Sequence, residues 1–245
     1  MTATGPLDGE LIRAEVERLG ISRLCHLTPM RNFLQIASGG GLRSVAELTA
    51  GGAVFDQQDL ARHDDRLEHI SCTIEYPNVW YLGNRRRDAT PLQRNFPGWV
   101  CLLLDPKYLW AEGTEFAPRN AASSGGALLR PGYDAFMGLY AERVTGAGGK
   151  NRGRDAKPRA CPTDDQAEVM VHNRVPLADA STIVLPDAAQ ASSCASAMRL
   201  LGVPLDDFEF LLAPDLFDAR LSPRLRRGEL PVETPWTPSA LDAGG

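Results

Sequence analysis

Gln166-Ala167-Glu168 stands between a long Gly- and Arg-rich stretch and the apolar residues Val169, Met170 and Val171. A carboxylate fixed at a strand entrance, after a mobile basic loop, suits chemistry that develops positive charge on a bound sugar. It stabilises such a transition state more than the ground state. The same group can take a proton from an incoming nucleophile. Gln166 lies two residues earlier, so on a strand both side chains point the same way, and its amide suits holding the acceptor. Taken alone, Gln-x-Glu also describes a solvent-facing pair on an edge strand.

Cys25-His26-Leu27-Thr28-Pro29 is the second signal. A neutral imidazole can donate to a ribose hydroxyl while the backbone holds its other nitrogen. Thr28 reads as a helix N-cap with Pro29 at the first helical position, close enough to touch a ligand. The plainer reading is a semi-buried histidine beside an ordinary cap. A pyrophosphate calls for a planar, permanently charged donor fork. Arg66, ahead of a predicted strand, suits that task, with Arg43 and Arg62 as rivals and a surface ion pair as the alternative. Tyr76, Trp80 and Tyr81 in Tyr-Pro-Asn-Val-Trp-Tyr could stack on nicotinamide or a splayed base, or form a core patch. Asn120 is a polar candidate for the pocket wall. Together these residues suggest an enzyme that splits NAD and passes on ADP-ribose.

The 245 residues fit one domain, or one domain with a tail, and a 43% apolar fraction allows a sizeable core. No apolar stretch reaches the roughly 18–20 residues of a membrane helix, and no signal peptide is visible at the start. Five cysteines without a close pair point to reduced thiols and a cytoplasmic setting. The four histidines form no metal signature, so no metal is expected. A formal charge of −5 argues against a nucleic-acid partner, yet six basic residues face one acidic residue between Arg143 and Arg159. Arg85-Arg86-Arg87 and the group Arg220, Arg224, Arg226 and Arg227 add further clusters. Local basic density, rather than total charge, decides affinity for phosphates.

The elements that must position these residues follow from periodicity. Helices are predicted over Asp8 to Leu19, Pro29 to about Ser38, Tyr133 to Val144 and Ala188 to Leu201. Strands are predicted over 21–27, 69–76, 99–104, 167–171, 181–185 and 208–212. The run Trp99 to Leu104 is almost wholly apolar and reads as a central strand buried on both faces. Arg43 to Leu48 and Asp56 to Ala61 read as short helices or loop, Phe116 to Ser124 as loop, and 145–165 as a stretch without periodicity. Residues 216–245 read as a Pro/Arg-rich tail, poorly packed from Ser222, behind a single domain over 1–215. Five or six short strands and three or four helices that do not alternate exclude a doubly wound parallel sheet.

The order His-x-Thr, then Asn32, an arginine before a strand, aromatic-Pro-Asn-aromatic, Trp99-Val100, Asn120-Ala-Ala and Gln166-Ala-Glu-Val resembles the DarT family. Those proteins are bacterial toxins that use NAD to ADP-ribosylate bases in single-stranded DNA, opposed by antitoxins carrying a macrodomain. The similarity covers roughly residues 20–190. It implies an α+β, ADP-ribosyltransferase-like fold with a split mixed β core and surrounding helices. It makes NAD the co-substrate and Glu168 the catalytic glutamate. It puts His26, Thr28, Asn32 and Arg66 in the NAD pocket. It places Gln166 and the preceding loop, including Arg154, with Trp80 and Tyr81 on the substrate side. Single-stranded DNA and a macrodomain antitoxin are the implied partners. An ADP-ribosyltransferase acting on RNA or protein is the nearest alternative, and an inert nucleotide- or nucleic-acid-binding domain the next. The chain departs from the family at Cys25, where an aromatic residue is common. It departs again at Ile70 to Tyr81, which replaces the usual Tyr-Val-Pro-Phe-Tyr-Phe run.

Overall fold

Alternate residues of the run Trp99–Leu104 enter two different hydrophobic clusters, which explains why that segment is apolar throughout. Val100, Leu102 and Leu104 join the larger cluster and Trp99 and Cys101 the smaller one. This is the period-two geometry of a strand buried on both faces. The computed structural model describes residues 6–52, 66–89, 98–146, 149–154 and 156–239. The predicted segment Asp56 to Ala61 and the rival Arg62 lie outside the described residues.

The strands, in chain order, are β1 (Leu24–Pro29), β2 (Gly41–Arg43), β3 (His69–Ile74), β4 (Trp99–Leu104), β5 (Glu115–Ala117) and β6 (Arg130–Pro131). They continue with β7 (Arg143–Thr145), β8 (Asn151–Gly153), β9 (Glu168–His172), β10 (Arg174–Pro176), β11 (Thr182–Leu185), β12 (Glu209–Leu212) and β13 (Thr234–Trp236). The helices are α1 (Pro6–Leu19), α2 (Met30–Ser38), α3 (Val45–Ala50), α4 (Val79–Arg87), α5 (Tyr133–Gly138), α6 (Ala188–Leu200) and α7 (Leu221–Arg226). Nine strands form one mixed sheet in the order β13-β12-β11-β4-β1-β3-β9-β5-β6. β11 and β12 run parallel, and the other neighbours run antiparallel. Two-stranded ribbons, β10–β2 and β7–β8, stand beside it. Helices flank the sheet, in an α+β arrangement of the ADP-ribosyltransferase type. Ile12 and Val16 of α1, Phe33 of α2, Phe136 of α5 and Met198 of α6 all enter the larger cluster. Full burial of a side chain such as Phe33 contributes about 1.5–3 kcal/mol.

The sheet forks at its centre. β1 pairs with β4 along its whole length, Leu24 opposite Leu104 through Pro29 opposite Trp99. With β3 it pairs only at Leu24–Ile74 and Cys25–Thr73. From His26 onward β1 and β3 part, leaving backbone groups that need other partners. Glu75 braces the closed end of the fork. Its backbone sits at φ 63, a strained setting for a residue with a side chain. Its buried carboxylate accepts from the Ser22 N–H, the Ser22 hydroxyl at 3.1 Å and the Arg23 N–H at 3.4 Å.

Several expectations are corrected. Thr28 lies in β1 opposite Val100, and Pro29 occupies the N-cap position of α2 without a side-chain cap. The ladder to β4 carries the strand two residues past the predicted end. The helix from Tyr133 stops at Gly138, because the β-branched pair Val144-Thr145 is drawn into the hairpin β7–β8. That hairpin also gives structure to the stretch read as aperiodic. β9 begins at Glu168, so Gln166 sits in a turn rather than on the strand. Up to residue 239, the tail is packed where it was expected to be loose. Leu221 and Leu225 are buried, β13 pairs with β12, and Arg23 donates to Glu233 at 2.7 Å. Short strands of two or three residues were invisible to periodicity, so the predicted strand count was too low.

Candidate active site

The fork opens into a cavity of about 260 Å³. β1 and β3 supply its two walls, α2 and the β2–α3 segment one flank, and Tyr81 and Asn120 its rim. Five of the residues singled out in the sequence line it together: His26, Thr28, Asn32, Tyr81 and Glu168. Asn120 joins them, held by its own turn, in which its side-chain oxygen accepts from the Ser123 N–H at 2.9 Å.

His26 is the first residue of β1 beyond the closed end of the fork, and its ring bridges the gap. Nδ1 lies 3.0 Å from the Ser71 carbonyl oxygen on β3. A carbonyl can only accept, so Nδ1 carries a proton in this contact. Glu168 comes from the other side of the fork. It opens β9 opposite Ala117 of β5 and is half-buried. Ser71 pairs with Met170, two residues further along β9, so β3 carries the register that relates His26 to Glu168. Thr28 is buried and Asn32 lies in the first turn of α2.

The arginines separate. Arg43, at the end of β2, lines the cavity. Arg66 does not; its Nε donates to Glu115 at 2.5 Å and its NH2 to the same carboxylate at 3.4 Å. The aromatics separate as well. Tyr81 lines the cavity, edge-on to Trp99 at 6.3 Å and beneath the Arg85 guanidinium at 5.5 Å. Trp80, next to it on α4, is 50% exposed outside the lining. Tyr76 packs into the smaller cluster under Arg23. Asn78 caps α4 through the Tyr81 N–H at 3.0 Å and also lines the cavity. Its Pro-Asn-aromatic context was the signal for that role.

Gln166 stands outside the lining, its N–H donating to Asp164 at 2.8 Å. Arg154 folds back onto its own loop. It donates to the Thr163 hydroxyl at 3.3 Å and to the carbonyls of Pro158, Arg159 and Cys161 at 3.1–3.4 Å, over the Tyr140 ring. Lys157 is buried and Arg159 donates to the Arg18 carbonyl at 3.3 Å. Arg143 and Lys150 are exposed and Arg152 half-exposed on the hairpin β7–β8. Arg119 ties this hairpin to the rim beside Asn120, donating to Thr145 O at 2.9 Å and Gly146 O at 3.0 Å.

His69 also lines the cavity. Burial holds its pKa below the ordinary imidazole value, against the opposing pull of the Gly113 carbonyl 3.1 Å from Nε2. Sequence reasoning had placed His69 only as the start of a strand. All five cysteines are buried and free of disulfides. Among the described residues no cluster of His, Cys, Asp or Glu could hold a metal ion, and no helix is long and apolar enough to cross a membrane.

Comparison with known proteins now bears on this geometry. DarTG from Thermosipho africanus, in complex with ADP-ribose, aligns with a TM-score of 0.53 at 15% identity. The alignment covers 80% of this chain and 51% of that one, so this chain spans about half the length of that relative. DarT from Thermus sp. 2.9 aligns in its complex with ADP-ribosylated single-stranded DNA at a TM-score of 0.49 and 12% identity, covering 77% of this chain and 97% of that one. The same protein in complex with NAD+ gives 0.44 and 12%, covering 76% and 97%. No curated protein matches the sequence. A family model described as "ssDNA thymidine ADP-ribosyltransferase, DarT" matches residues 25–217, from the residue before His26 to well past Glu168, and the chain belongs to the DarT family of ADP-ribosyltransferases.

Proposed function

We propose that this chain uses NAD as co-substrate and transfers ADP-ribose to a base in single-stranded DNA. One observation carries the reading: Glu168 and His26, from opposite sides of the fork, line the same cavity as Arg43 and Tyr81. His26, Thr28 and Asn32 hold the ribose side. Arg43 offers its guanidinium to the pyrophosphate, while Arg66 braces the β3–β5 side through Glu115. Glu168 stabilises the positive charge that develops on the ribose as nicotinamide leaves, and accepts the proton released by the attacking base. Tyr81 offers a stacking face inside the cavity and Trp80 one outside it. Gln166 adjoins Glu168 at the acceptor side, and Arg154 acts through the shape of its loop.

The family description supports single-stranded DNA as acceptor. The resemblance adds the further reading of a cytoplasmic toxin, without a metal, countered by a macrodomain antitoxin. The test incubates the protein with labelled NAD and, separately, single-stranded DNA, duplex DNA, RNA and protein. Nicotinamide release and the mass of each acceptor are read. A mark on single-stranded DNA is the expected result. A mark on RNA or protein alone would redirect the assignment, and no nicotinamide release would leave a binding domain.

A further inference from the structure

The family match ends at residue 217, yet α7 beyond it reaches back to the loop that delivers Glu168. The described residues between Gly153 and Ala167 are organised around a buried lysine. Lys157, whose side chain is 1% exposed, donates to Pro162 O at 2.8 Å and Thr163 O at 3.2 Å and pairs with the Asp165 carboxylate. The other oxygen of Asp165 accepts from the Ser222 hydroxyl and from Arg226 at 2.8 Å, both on α7. Arg226 also holds the loop's opposite end, donating to Gly153 O at 3.3 Å and accepting the Ala156 N–H at 3.3 Å. The Lys157 charge and the hydrogen bonds to Asp165 outweigh burial and hold that carboxyl below its ordinary range. Asp165 stands three residues before Glu168.

We propose that Lys157, Asp165, Ser222 and Arg226 form a positioning clamp through which the C-terminal helix α7 fixes the approach of Glu168 to the cavity. The proposal rests on Glu168 as the catalytic carboxylate. None of the four lines the cavity, so they act through the backbone that carries Glu168. A misplacement of about 1 Å at a reacting group costs on the order of 100-fold in rate. A clamp defect therefore lowers kcat, while His26, Thr28, Asn32 and Arg43 keep their hold on NAD.

The experiment compares Arg226→Ala, Arg226→Lys and Ser222→Ala with the native full-length chain. Calorimetric titration with NAD counts the folded sites and gives the affinity; kcat is then expressed per site. Arg226→Ala is expected to lower kcat per site about tenfold or more, with NAD affinity within twofold of native. Arg226→Lys, which keeps a charge for Asp165, should recover part of the loss. Ser222→Ala removes one hydrogen bond and leaves the charges paired; a loss of about threefold is expected. It decides the question should Arg226→Ala fail to fold. Native kcat per site in Ser222→Ala and Arg226→Ala, or a loss that only tracks the number of sites, would overturn the clamp. Glu168→Ala separates the two levels: native turnover there removes the catalytic assignment, whereas an inactive Glu168→Ala beside native clamp variants removes the clamp alone.

Discussion

At the scale of single residues, the two candidate arginines stand in different places. Arg43 faces the cavity and Arg66 is held by Glu115. Arg43→Ala should weaken NAD binding by about 1.5–3 kcal/mol, the range for a hydrogen bond to a charged group, with little change in melting temperature. Arg66→Ala should do the opposite, lowering the melting temperature while NAD affinity holds, because Glu115 loses its partner. Calorimetry and thermal denaturation of both variants check this, and a reversed pattern would return the pyrophosphate to Arg66. His69 gives a pH dependence. Its folded pKa lies below the unfolded value of about 6.5. The unfolded chain therefore binds the proton first as pH falls, and stability present above about 6.5 is lost toward the folded pKa. Thermal midpoints recorded from about pH 7.5 to about pH 5.5 should fall, and His69→Gln should flatten part of that slope. An unchanged slope in the variant would assign the effect to other groups.

At the scale of elements, the limits of strands and helices were legible wherever burial wrote a pattern. Trp99–Leu104 matches its predicted limits, and α6 ends within one residue of prediction. Glu168 and His26 stood out as candidates because each belongs to such an apolar strand, and both line the cavity. The fork was not legible, since it depends on where β1 and β3 stop pairing, and a single sequence carries no register between distant strands. Arg43 was visible only as a rival, and its place in the cavity lining follows from the fold. Glu75 gave no signal, because its task lies in an unusual φ and in bonds to residues some fifty positions away. The basic stretch was legible as charge but not as structure. Arg154 and Lys157 serve the loop itself and Arg159 reaches back to the Arg18 carbonyl, so Arg143, Lys150 and Arg152 on the hairpin are the cations of this stretch that face a phosphate backbone in the proposed reading. Replacing those three with Gln should weaken single-strand binding. The slope of log K against log salt should fall by about 0.7 for each lost phosphate contact. Fluorescence titration over a salt series measures it, and an unaltered slope would place the strand elsewhere.

At the scale of the whole molecule, the segment beyond the family match is part of the same body. β13 extends the sheet, Arg23 pairs with Glu233, and α7 holds the loop before Glu168. The tail looked loose because Pro and Arg dominate its composition, while its few apolar anchors, Leu221, Leu225 and Trp236, are too sparse for periodicity. Lys157→Met leaves Asp165 partly uncompensated in a buried setting, so a cost of about 3 kcal/mol is expected, read as a lower denaturant midpoint. In the proposed reaction NAD is split in the fork of the sheet, with Glu168 stabilising the developing charge. The most direct measurement is nicotinamide release by Glu168→Ala in the presence of single-stranded DNA, with circular dichroism and NAD titration showing that the variant is folded. The account predicts a loss of at least about a hundredfold, close to 3 kcal/mol of transition-state stabilisation. Native turnover by a folded Glu168→Ala protein would contradict it.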